Sequence, residues 1–90
     1  MDLRGRKLVA TEPGRYVQYI ENIVAQPDVT IELLCPLEYW MRVKNVGHNT
    51  LTYDSFIKKQ DGVIERRKRD QVCPLSTVLQ EITEGHLQIE

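Results

Sequence analysis

Glu38-Tyr39-Trp40-Met41-Arg42-Val43-Lys44-Asn45-Val46-Gly47-His48-Asn49-Thr50-Leu51-Thr52-Tyr53-Asp54-Ser55-Phe56-Ile57-Lys58-Lys59-Gln60-Asp61-Gly62 is the stretch that decides the fold. Tyr39, Met41 and Val43 alternate with Trp40, Arg42 and Lys44, the period of two that marks a half-buried strand. Gly47-His48-Asn49 is a turn signal. Leu51, Tyr53, Ser55 and Ile57 then continue the alternation, with the strand formers Thr50 and Thr52 between them. Gln60-Asp61-Gly62 is a strong hairpin turn. The reading from this stretch is therefore antiparallel β-sheet.

On the N-terminal side, Val29, Ile31 and Leu33 alternate with Thr30 and Glu32 and predict a further strand, ended by Cys35-Pro36. Before it, Thr11-Glu12-Pro13 reads as a helix start, and Val17, Ile20 and Val24 recur at helical spacing until Pro27-Asp28. Residues 1–10 are expected to be an N-terminal arm. On the C-terminal side, Val63 to Val72 is the returning strand and Thr77 to Ile82 a short last one, followed by a polar tail over residues 83–90. The expected architecture is mostly β: an N-terminal α-helix, then five antiparallel strands bent into a small barrel over residues 11–82.

Composition narrows the function classes. Ninety residues make one small domain, and 41% hydrophobic with 28% charged residues is ordinary for a globular chain. A net charge of −1 gives no bulk attraction to nucleic acid or membrane, so any such argument rests on local clustering. Met1 to Lys7 is followed by no apolar run of the kind a signal peptide carries, and no apolar stretch would span a bilayer. Cytoplasmic location with two free thiols is the expectation. Cys35 and Cys73, with His48 and His86, fall short of a zinc set, and no phosphate-binding glycine loop or sequence-adjacent Cys–His pair is present. No cofactor, metal or catalytic residue is predicted, and the chain reads as a binding module.

In the order of its elements the chain resembles the Sm/Lsm family, and within it the bacterial Hfq branch, from the expected helix to about Gln80. Val29-Thr30-Ile31-Glu32-Leu33 is similar to the first strand of that family. Val43, Val46, Leu51 and Tyr53 fall on the apolar positions of its first motif, and Leu75-Ser76-Thr77-Val78-Leu79 is similar to the end of its second. The family's basic triplet falls here on Gln71-Val72-Cys73. The resemblance implies an Sm-like barrel, assembly of copies into a homo-oligomeric ring by pairing of the last two strands, and binding of single-stranded RNA.

The candidate nucleic-acid-binding residues are Lys58, Lys59, Arg66, Arg67, Lys68 and Arg69 on the expected hairpin, with His48 and Asn49 in the loop that faces the pore in Sm proteins. The basic hairpin reads equally as a solvated edge whose charges discourage sheet aggregation. His48-Asn49 reads equally as an ordinary turn. Trp40, on the face opposite Tyr39, Met41 and Val43, is a candidate stacking platform or subunit contact. A protein-interaction module without RNA binding, or an SH3-like or sandwich adaptor without a ring, are the alternatives from other classes.

Overall fold

The computed structural model describes residues 2–24 and 29–90. Its elements are β1 (Lys7–Ala10), a single 3-10 turn (Pro13–Arg15), β2 (Tyr19–Val24), β3 (Val29–Leu34), β4 (Glu38–Val46), β5 (Thr50–Lys58), β6 (Ile64–Pro74), α1 (Leu75–Thr83) and β7 (Leu87–Ile89). Five strands form one antiparallel sheet in the order β6-β5-β4-β1-β7. β2 and β3 pair only with each other, as a separate antiparallel ribbon.

The mostly β expectation stands, but the barrel with an N-terminal helix does not. The sheet is open, with β6 and β7 at its edges. At the N-terminus, Pro13–Arg15 make one 3-10 turn, and the Thr11 hydroxyl donates to the Gly85 carbonyl (3.0 Å) instead of capping a helix. Residues 19–24 are extended because Tyr19, Ile20, Ile23 and Val24 are strand formers as well as a helical stripe. The expected helix end at Pro27-Asp28 lies outside the described residues.

The one helix is at residues 75–83, where a last strand was expected. Leu75, Val78, Leu79 and Ile82 recur at i, i+3, i+4 and i+7, the spacing of an apolar helix face. Gly85, at φ 81°, then ends the helix. His86 N–H bonds to the Glu81 carbonyl (2.9 Å) and Gly85 N–H to that of Ile82 (3.1 Å), a glycine-terminated Schellman cap. The ring expectation rested on pairing strands four and five, and the residues of that fifth strand are this helix.

Alternation sorts the sheet into two faces. Leu8, Ala10, Tyr39, Met41, Val43, Leu51, Ser55, Ile57 and Leu87 are buried on one face, beneath Val78 of α1 and Val17. Each fully buried Leu or Ile contributes about 1.5–3 kcal/mol. α1 carries the chain across this face from the β6 edge to β7 at the other edge. Residues 7–10, from the expected arm, pair with β4 on one side and β7 on the other. Residues 87–89, from the expected tail, complete the sheet. The other face carries no helix among the described residues.

The 3-10 turn packs tightly on the loop after β3. A Cβ on Gly14 would sit 2.6 Å from Cys35 Sγ, a distance no real carbon tolerates. Gly14→Ala is expected to lower stability by about 1–3 kcal/mol by overpacking. Thermal denaturation checks this, and the same change on a Cys35→Ala background should recover part of the loss. The β2–β3 ribbon is anchored at the same end: Gln60 N–H donates to the Tyr19 hydroxyl (2.9 Å), and its side-chain amide to the Cys35 carbonyl (2.7 Å). No helix among the described residues is long and apolar enough to cross a membrane.

Candidate nucleic-acid interface

The uncovered face of the sheet is built around an aromatic pair. Trp40 of β4 and Phe56 of β5 are direct cross-strand partners, their ring centroids 5.6 Å apart and their planes within 10°. The cross-strand row runs Gln88, Val9, Trp40, Phe56, Arg66, one residue from each strand in turn. Lys7 Nζ lies 4.8 Å from the Trp40 ring centroid, a cation–π distance, and pairs with the Glu90 carboxylate at 3.6 Å. Arg42, in the next row, is exposed and donates to the Gly5 carbonyl (3.3 Å). Neither Trp40 nor Phe56 belongs to the core on the other face, and both remain partly exposed.

Pairing decides which of the basic residues are free to meet a phosphate. Lys58 faces Glu38 across the strands and pairs with it (3.7 Å), and Arg69 pairs with Asp70 (3.6 Å). Lys59 lies over the Tyr19 ring (5.6 Å). Arg66, Arg67 and Lys68 have no carboxylate within 4 Å among the described residues, and every residue from Asp61 to Asp70 is exposed.

β6 is irregular, and the irregularity redistributes its charge. Its register against β5 runs Tyr53↔Gln71, Ser55↔Lys68 and Phe56↔Arg66, so an extra residue is accommodated at two places. Arg66 shares the open face with Phe56, whereas Lys68 faces the core side with Ser55, and the bulged Arg67 joins Lys68 there. Asp70 takes φ 52°, a left-handed conformation that aspartate tolerates better than most side chains. Its N–H bonds to Asp54 Oδ1 (2.9 Å) and its carboxylate to Lys44 Nζ. The Lys44 ammonium holds the Asp70 carboxyl below the usual range. Bulges of this kind also blunt an edge strand against indiscriminate pairing.

His48 and Asn49 are exposed in the β4–β5 loop, and the Asn49 carbonyl accepts from Leu75 N–H (2.9 Å) at the start of α1. They line a shallow depression with Pro74, Leu75, Ser76 and Leu79. Along β5 the loop is about 25 Å from Lys58 and about 17 Å from Lys68, which stands opposite Ser55. The fold therefore does not bring the loop residues and the basic hairpin together.

The core side has its own polar feature. Tyr16, Val17, Tyr39, Tyr53, Ser55, Arg67 and Lys68 line a cleft of about 250 Å³, where α1 does not reach. Tyr16 and Tyr39 are stacked, centroids 5.0 Å apart and planes within 6°. The Tyr16 hydroxyl and Glu81 Oε2 are buried without a hydrogen-bond partner among the described residues. Burial first, then the Glu81 carboxylate, pushes Tyr16 up to about 12, and burial first, then Tyr53, pushes Tyr39 up to about 12. An unfolded tyrosine ionises near 10, so the folded state favours the neutral phenols. That stabilisation is complete below pH 10 and is lost as the pH rises toward 12. The melting temperature is expected to fall steeply over this interval, less so in Tyr39→Phe, as followed by circular dichroism.

Burial also pushes the Cys73 thiol up, the opposite of an activated thiolate. Glu81, Glu84 and His86 bring ligand atoms within 4.8 Å of one another. Arg15 lies 3.8 Å from Glu81, so that charge is answered within the protein, and no metal centre is assigned.

Phe56, Lys7 and Arg42 were not among the residues singled out from sequence. The signal for Phe56 was present: an aromatic on the polar phase of an alternating strand, as Trp40 is on the preceding one. Compared with family models, with curated proteins and with solved structures, the chain matches none.

Proposed function

We propose that this protein binds single-stranded RNA on the open face of its sheet. The observation that carries the reading is the Trp40–Phe56 stack at the centre of a helix-free face, with Lys7 beside it and Arg66 in the same cross-strand row. Unstacked bases lie on exposed aromatic rings at about 1–3 kcal/mol each, and cations around the rings take up the phosphates. A duplex hides its bases from such a platform, so single strands are preferred. Arg66 supplies phosphate contact on the platform, and Arg67 and Lys68 supply it over the β6 edge. His48 and Asn49, at the other end of β5, are not part of the platform itself.

The test is titration of a labelled single-stranded oligoribonucleotide at increasing salt. Each phosphate contact to a single strand adds about 0.7 to the slope of log K against log salt. Replacing Arg66, Arg67, Lys68 and Arg69 together by alanine is expected to weaken binding and reduce the slope by about 2, three of the four being free of carboxylates. An unchanged slope would remove β6 from the site.

One observation favours a second reading, a protein-interaction module. Val63, Ile64 and Val72 are 55–64% exposed along the β6 edge, where a strand of another chain, a second copy included, could add to the sheet. Absence of RNA binding together with a molar mass that rises with concentration in light scattering would favour that reading over the first.

A further inference from the structure

The cleft on the core side is a second site, and we infer that it accepts the base and phosphate of a single nucleotide. The inference goes beyond the open-face platform: the cleft has its own lining, and only Arg67 and Lys68, at the β6 edge, are shared with the path proposed for RNA. Regular alternation along β6 would place Arg67 and Lys68 on opposite faces. The bulge between Ser55↔Lys68 and Phe56↔Arg66 instead brings both to the mouth of one cleft. Re-aiming a side chain into a site is a characteristic use of such bulges.

The interior suits a planar aromatic ring. Its walls are the stacked Tyr16–Tyr39 pair and Tyr53, with Val17 beside them. At about 250 Å³ it lies just below the range of drug-sized pockets, enough for a nucleobase but not for a folded chain segment. Ser55, 2% exposed, is the buried hydroxyl of the lining, able to donate to or accept from a base edge. Arg67 and Lys68 leave two cations over the opening, with no carboxylate within 4 Å among the described residues. A ring held inside and a dianion held outside is the chemistry of a nucleoside monophosphate, either free or at the phosphorylated end of a strand.

The experiment is calorimetric titration of the full chain with adenosine monophosphate, adenosine and inorganic phosphate. The nucleotide is expected to bind at least tenfold more tightly than adenosine or phosphate alone. Arg67→Ala/Lys68→Ala should lose this preference, while Arg66→Ala and Trp40→Ala, which alter the opposite face, should keep it. No nucleotide binding, or loss of it in Trp40→Ala with retention in Arg67→Ala/Lys68→Ala, overturns the inference. Neither result bears on the platform, which is read separately from oligonucleotide binding by Trp40→Ala. A 5′-phosphorylated oligonucleotide that binds more tightly than its 5′-hydroxyl form, in an Arg67- and Lys68-dependent way, assigns the cleft to a strand terminus. Equal binding of the two forms assigns it to the free nucleotide.

Discussion

Deletion of residues 1–10 is expected to unfold the protein. This segment supplies β1, which lies inside the sheet and pairs with β4 on one side and β7 on the other. The deletion takes three buried apolar side chains, Leu3, Leu8 and Ala10, out of the core and leaves β7 without a partner strand. Loss of a buried leucine alone costs about 2–5 kcal/mol. A small domain has a total stability of only about 5–15 kcal/mol, and two leucines with six strand pairings approach or exceed it. Circular dichroism of the truncated chain should show no cooperative melt. Leu8→Ala, at no measurable exposure in the folded protein, should still fold but with stability lowered by about 2–5 kcal/mol in urea denaturation. A truncated chain that melts cooperatively at the parent temperature would mean that β1 is dispensable to the sheet.

The second large effect is expected at the aromatic pair. Trp40→Ala and Phe56→Ala should each weaken binding of single-stranded RNA by about 5- to 150-fold, the equivalent of losing one stacked base. The side chains lie on the face away from the core, so the folded structure should survive both changes. Fluorescence anisotropy with a labelled oligoribonucleotide measures the first quantity and urea denaturation the second. Because the rings stack on each other, the double variant should lose less than the product of the two single effects. Unchanged affinity in both single variants would show that the open face is not where RNA binds.

What was legible in the sequence was the strand and turn pattern from Glu38 to Val72. There the alternation is long, one-sided and bounded by Gly47 and Gly62, so local pattern and final fold agree. Two segments were ambiguous for one physical reason. Tyr19–Val24 and Leu75–Thr83 each contain β-branched residues at spacings that also make an apolar helix face, and tertiary context chose oppositely in the two cases. At 75–83 the decisive local feature was Gly85, placed to end a helix. β1 and β7 are four and three residues long, too short for periodicity to register, and they are defined by pairing with strands distant in the chain. The basic run was legible as composition. Its division between two faces was not, because a bulge is set by the partner strand. The cleft draws Tyr16, Tyr39 and Tyr53 from three separate segments, a convergence no local pattern announces.

The pairing of β1 with β7 also has a bearing on how the chain is made. Leu8 and Ile89 are register partners roughly eighty residues apart, the longest separation the sheet contains. During synthesis the β4–β5 and β5–β6 hairpins can form as soon as they emerge, each from neighbouring residues. β1 must wait with one side open until residues 87–89 are available to pair with it. Folding is therefore paced by the β1–β7 closure, and such non-local closure is slow. Until that pairing is made the chain presents a short apolar edge containing Leu8, a surface open to mispairing with other chains.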